Sequence, residues 1–345
     1  MNALEKCSSV TKSLKYKMYF FYFWKTALQL VAYFIRERKK EAIHAVRVIT
    51  DLEKKLNGQF DSATRKKIII SHSVYNPLVI DAFCRLHGRV SNKKERKKLI
   101  YYFTCSSVLD NFFDYGELSY NQIISIYTIP TYQPSTFSER VGMYCHWHLL
   151  DKVTDKVGYM KILDAEVNAQ HASLQQFNKQ ISIEEIESIM KAKGGNAVLL
   201  CRYYLDYEPS EAEDKCWFQL GVIIQLNNDL YDIHKDINDG IETLATRCRD
   251  ANLMEAYVKK QASLMKHFVS ELPCSNRRKR RFSVSAAGVF ALAMVAVDQL
   301  KRLQGTAEQL PDFNKLKRKD IIVDMEKTTN ILRCLKYMYQ YNDLN

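Results

Sequence analysis

Apolar residues recur at three- and four-residue intervals through most of the chain, and no pair of alternating segments joined by a hairpin turn stands out. This periodicity predicts one or two helices over Tyr16–Asn57 and another over Thr64–Leu86, broken or kinked at Pro77. Further helices are expected over Lys93–Tyr115 and within the long amphipathic stretch Glu139–Phe177. Ser182 with Glu185 forms a capping box that opens the next helix, which Gly194-Gly195 is expected to interrupt. A helix from Trp217, then Leu253–Leu272, Phe282–Leu303 and Arg318–Tyr341, complete the series. Pro130 and Pro134 mark Thr128–Ser138 as a loop, and Pro209 marks Tyr207–Glu213 as a turn. No internal repeat and no long linker appears. The expected architecture is one all-α domain over residues 1–345, a helical bundle around a central cavity, with residues 1–60 as an N-terminal helical extension.

One segment of this pattern stands apart, WFQLGVIIQLNNDLYDIHKDINDGIET from Trp217 to Thr243. The apolar run Trp217–Leu226 meets a polar cluster of Asn228, Asp229, Asp232, Lys235, Asp236 and Asp239. On a continuous helix Asn228, Asp232 and Asp236 fall at i, i+4 and i+8 and share a face, with Gln225, Ile224, Gly221 and Trp217 farther back on that side. Like charges at this spacing repel by about 0.2–0.5 kcal/mol per pair, so such a row requires a reason, and a hard divalent cation supplies one. A second acidic pair, Asp110 and Asp114, closes the apolar helix above it, with Phe103, Ser106 and Ser107 on the same side. If the two ends face each other, they form an apolar pocket with carboxylates at its mouth. Magnesium takes one or two carboxylates and fills its remaining positions with water and phosphate oxygens, so the arrangement suits a diphosphate held by bridging Mg²⁺.

Composition narrows the picture. The 345 residues are 47% hydrophobic with 11 Gly and 6 Pro, which suits a large core and long helices. The formal net charge of +12 fits anionic ligands, but the basic clusters Arg36–Lys40, Lys93–Lys98 and Arg277–Arg281 carry no nucleic-acid fold signature, so no nucleic-acid partner is expected. Nine scattered cysteines without a CxxC pair read as reduced thiols of a cytoplasmic protein, with neither disulfide framework nor zinc site; Cys145, His146 and His148 are too compact for zinc. Met18–Ile35 carries Lys25 and ends in charges without a cleavage site, and Phe282–Val297 is shorter than the roughly 20 residues that span a bilayer. Both read as buried helices, leaving weak membrane-surface attachment through Met18–Trp24, and a homodimer, as partner arrangements.

These motifs resemble those of the class I isoprenoid synthases, most closely the bacterial-type terpene synthases. Asn228-Asp229-Leu230-Tyr231-Asp232-Ile233-His234-Lys235-Asp236 is similar to the NDxxSxxKE motif, with Asp in place of Ser at 232 and of Glu at 236. Asp110-Asn111-Phe112-Phe113-Asp114 resembles DDxxD with Asn in second place. The resemblance implies that Asp110 and Asp114 bind two Mg²⁺, that Asn228, Asp232 and Asp236 bind a third, and that Mn²⁺ can substitute. It makes Lys235 a diphosphate contact. Gly194-Gly195, preceded by Lys191 and Lys193, resembles the family's helix break with its basic diphosphate sensor, and Lys336-Tyr337 is the nearest match to a C-terminal Arg-Tyr pair. Phe103, Ser107, Gly194, Gly195, Trp217, Gly221, Ile224 and Gln225 would line the pocket.

The implied reaction ionises a prenyl diphosphate of sesqui- to sesterterpene length, releases diphosphate, and cyclises or quenches the carbocation. Two related readings stay open. Gln225, Asn228, Asp229 and Asp232 also resemble the QxxDDxxD motif of trans-prenyltransferases, although the residues after Asp114, YGELSYNQII, lack the arginine pair that holds a second diphosphate there. Squalene and phytoene synthases carry paired DxxxD motifs. A third reading is a helical binding protein with an inactive shell of this kind.

Overall fold

A single helix of 53 residues, Ala3–Lys55 (α1), opens the chain. The structure is a computed structural model that describes residues 3–343, with side chains described over 20–342. Phe23 and Ala27 of α1 are buried against Val284, and farther along Ala45, Val48, Ile49 and Leu52 enter the main core. From Phe23 onward α1 therefore packs as part of the bundle. Phe20 and Phe21 stay 45% and 71% exposed, so part of the expected surface-attachment stretch is open to solvent; Met18 and Tyr19 lie outside the residues whose side chains are described.

The chain continues through α2 (Ser62–Tyr75), a five-residue π turn at Asn76–Ile80, and the short α3 (Asp81–Cys84). Pro77 sits in the first turn of that wider segment, where its missing N–H matters least, so the expected kink takes the form of a π turn. Next come α4 (Lys93–Tyr115), α5 (Tyr120–Thr128), α6 (Phe137–Lys152) and α7 (Lys156–Ala172). The stretch expected as one long amphipathic unit is thus two helices, divided where Asp155 caps α7 through Gly158 N–H. The remaining elements are α8 (Ile183–Leu200), α9 (Glu211–Tyr231), α10 (Ile233–Asp239), α11 (Ala251–Glu271), α12 (Asn276–Gln304), α13 (Arg318–Ile321) and α14 (Thr328–Asp343). All described secondary structure is helical.

Helices α8 and α9 contribute to both large hydrophobic clusters. Val198, Leu200, Trp217 and Leu220 belong to one, and Met190, Val222, Leu226 and Leu230 to the other. The pair forms the spine of the bundle, and its packing depends on glycine. A Cβ on Gly194 would lie 2.5 Å from the Gly221 carbonyl oxygen, and one on Gly195 would meet the Phe218 ring at 2.3 Å. The break expected at Gly194-Gly195 does not occur: α8 runs unbroken from its Ser182–Glu185 capping box to Leu200. Close backbone approach, rather than chain reversal, is what these glycines supply.

Among the described residues, α12 is long and apolar enough to cross a membrane by length and composition, and 61% of its most apolar window is buried inside the protein. The eight described cysteines are free.

Candidate active site

Helix α4 starts at a capping box between Asn92 and Glu95 and runs through the core to its acidic end. There Asp110 is held at both oxygens. Lys67 of α2 donates to Oδ2 at 2.9 Å, and Gln170 of α7 donates to Oδ1 at 2.9 Å. Asn111, the residue in second place of the motif, turns away and donates to Thr64 at 2.9 Å, joining α4 to α2. Asp114, one turn beyond Asp110, is exposed and does not line the cavity.

Opposite Asp110, α9 presents Gly221, Ile224, Gln225 and Asn228 at helical spacing, and all four line a cavity of about 200 Å³ with Asp110. Tyr75, Tyr102 and Phe103 contribute aromatic wall, and Ser107, Gly194 and Lys193 complete it. The two acidic helix ends, distant in sequence, therefore meet at one cavity. Its volume lies below the roughly 300 Å³ at which small-molecule pockets begin. A hole of about 20 Å³ adjoins it, sharing Tyr102, Ser106 and Glu166 and extending to Tyr127, Tyr159 and Tyr204.

The row of Asn228, Asp232 and Asp236 is not carried on one straight helix. α9 ends at Tyr231, Asp232 adopts φ −99° and ψ 7°, and α10 leads away. Asp-Ile-His is a poor helical run, and bending relieves a like-charge stripe. The bend separates the two acids. Asp232 remains exposed, whereas Asp236 is buried at 7% exposure. Burial, followed by the facing charges of Asp229 and Asp232, raises the Asp236 carboxyl to about 7. Neither residue reaches the cavity lining, and Lys235 is exposed beside Asp239 at 3.5 Å.

Two further carboxylates are buried nearby: Glu166, outside both motifs, lines the cavity, whereas Asp229, within the second motif, does not. Asp229 accepts from Gln225 at 2.9 Å through Oδ1, while its Oδ2 is buried without a hydrogen-bond partner. Burial raises it to about 6 against the opposing pull of Gln225 and Lys193. Glu166 accepts from Gln170 at 3.1 Å, its Oε2 also has no partner, and burial beside Asp110 raises it to about 8. Both have a glutamine four residues away on the same helix, a pattern with little sequence contrast. Lys193 lines the cavity and acts on both acids.

Other expected residues fall elsewhere. Lys191 pairs with Glu187 and borders a separate groove of about 680 Å³ with Phe218 and Phe268, because two residues along α8 turn it to the far side of Lys193. Trp217 shares the helical face by spacing, but it is fully buried deeper in the core, stacked on Phe83 at 3.6 Å. Gly195 is covered by Phe218. Lys336 is exposed, and Tyr337 donates to Asp298 at 2.7 Å, because α14 packs against α12 away from the cavity.

The donor set fits a hard cation. Asp229 and Glu166 each hold an unpartnered buried oxygen, and their acids resist ionising without a positive partner. No protein-family model matches the chain, and no curated protein matches it. Among solved structures it is similar to a dehydrosqualene synthase crystallised in complex with a ligand, at 14% identity and a TM-score of 0.44, over 81% of this chain and 97% of that one.

Proposed function

We propose that the chain is a Mg²⁺-dependent enzyme of the class I isoprenoid synthase kind, which removes diphosphate from a prenyl diphosphate. The observation that carries this reading is that Asp110 and Asn228, from two separate acidic motifs, line one cavity whose inner wall is aromatic and aliphatic. Asp110, Glu166, Asp229 and Asn228 are the residues that would hold Mg²⁺, with Asp236 and Asp232 behind them. Bound Mg²⁺ neutralises the diphosphate and favours its departure. Lys193 and Lys67 add positive charge where the leaving group gains negative charge. Phe103, Tyr75 and Tyr102 offer ring faces to an allylic cation, each worth on the order of 2 kcal/mol when desolvated. Closure of the cavity over bound substrate would exclude water and protect that cation from early quenching.

The finer reading is a terpene synthase acting on a single substrate, in keeping with the small cavity and the absence of arginine just after Asp114. The second reading, condensation of two prenyl diphosphates, draws on the paired DxxxD spacing of Asp110–Asp114 and Asp232–Asp236. Incubation with Mg²⁺ and geranyl, farnesyl, geranylgeranyl or geranylfarnesyl diphosphate, with and without isopentenyl diphosphate, separates them. A cyclic or hydroxylated terpene from one substrate supports the first. A product joining two prenyl chains, or elongation requiring isopentenyl diphosphate, replaces it with the second.

A further inference from the structure

Glu41 and His44 stand one turn apart on α1, and His72 faces them from α2. Glu41 Oε2 is 2.8 Å from His72 Nε2 and 3.6 Å from His44 Nδ1, and the three donor atoms lie within 4.8 Å of one another. The side chains of Glu41 and His72 are 3% and 0% exposed, whereas that of His44 is 33% exposed and gives the cluster one open side. From these contacts we infer a second metal site, distinct from the acid-lined cavity, in which Glu41, His44 and His72 bind a borderline transition ion such as Zn²⁺.

The donor types select the ion. Two imidazoles and one carboxylate suit zinc, cobalt or nickel, whereas magnesium and calcium prefer oxygen alone. Ligand atoms around a tetrahedral zinc stand about 3.3 Å apart, as its bond lengths of about 2.0–2.1 Å require. The separations of 2.8 and 3.6 Å straddle that spacing, so small side-chain adjustments admit the ion. The open side at His44 leaves a fourth position for water. Glu41 is already oriented by an outer contact, since Arg96 donates to its other oxygen at 2.6 Å. The His72 Nδ1 has no hydrogen-bond partner, so the ring's polar contact is the one made to Glu41.

The site would also matter beyond its own residues. α2 supplies Lys67, Ser71 and Tyr75 to the acid-lined cavity, and His72 is the neighbour of Ser71. A metal joining α1 to His72 would fix the position of that wall and the Lys67 contact to Asp110.

Titration of the full-length, metal-free protein with Co²⁺ tests the inference directly. With excess Mg²⁺ present to occupy the acid-lined cavity, the expected result is about one equivalent of bound Co²⁺ with the intense visible bands of tetrahedral coordination, displaced by Zn²⁺. His44→Ala, which changes a partly exposed side chain, should weaken Co²⁺ binding at least tenfold with its helical circular dichroism unchanged. Asp229→Asn should bind Co²⁺ as the wild type does. Absence of binding overturns the inference. So does binding that survives His44→Ala, or binding that is lost in Asp229→Asn.

Discussion

A Cβ placed on Gly221 would lie 2.1 Å from the carbonyl oxygen of Gly194, so α8 and α9 touch backbone to backbone beside the acid-lined cavity. Gly221→Ala must therefore separate the two spine helices. Overpacking of this kind costs about 1–3 kcal/mol, and the melting temperature should fall by several degrees. Gly288→Ala provides the contrast, since its new methyl would meet only Met338 Cε, at 3.8 Å. That substitution should leave stability unchanged or raise it by up to about 1 kcal/mol through helix propensity. Equal melting temperatures for the two variants would contradict the close-approach role.

The two lysines before the glycine pair should separate cleanly. Lys193 lines the cavity, whereas Lys191 is tied to Glu187 on another side of α8. Lys193→Ala should lower the rate of diphosphate release by on the order of 10²-fold, as expected for loss of one preorganised charge contact. Lys191→Ala should stay within about twofold of wild type, like other surface changes away from a site. The reverse order, measured with a coupled diphosphate assay, would restore Lys191 as the sensor.

How far the site was legible follows from these residues. Periodicity put Gly221, Ile224, Gln225 and Asn228 on one face of α9, and the four line one cavity. It could not register depth: Trp217 has the same phase yet is sealed against Phe83. The glycine pair was ambiguous because the same missing Cβ serves a helix break or a close contact, and only the partner Gly221 decides between them. Asp232 to Asp236 read as a continuous stripe because the spacing assumes one straight helix, whereas α9 ends at Tyr231 and Asp236 is buried on α10. Glu166 lies outside every motif and gains its place through Gln170 and Asp110, a relation that exists only after folding.

The buried acids make a signed prediction for stability against pH. Glu166 is raised to about 8 and Asp236 to about 7, so the folded chain holds protons that the unfolded chain has released. Stability from such groups is present below the unfolded carboxyl value and is lost as pH rises through the folded one. Buried histidines act oppositely: His146, lowered to about 4, adds stability as pH rises, and this gain is complete above the ordinary histidine value of about 6.5. Between about pH 6.5 and 8 the acids therefore dominate, and the metal-free protein should melt at progressively lower temperature. Glu166 faces Asp110, Gln170 and Lys193, and Glu166→Gln should flatten this slope. A melting temperature that is level or rising across the window would contradict the burial of these acids.

Metal-dependent ionisation is read directly from release of inorganic diphosphate from a prenyl diphosphate, with Mg²⁺ or with excess EDTA. Wild-type protein should release diphosphate at a rate that saturates with Mg²⁺ and vanishes with chelator. Asp229→Asn, which replaces a buried carboxylate with one unpartnered oxygen by an amide of nearly the same shape, should keep its fold by circular dichroism and lose at least about 10²-fold of that rate. No release from geranyl through geranylfarnesyl diphosphate, or release unchanged by EDTA and by Asp229→Asn, would contradict the account.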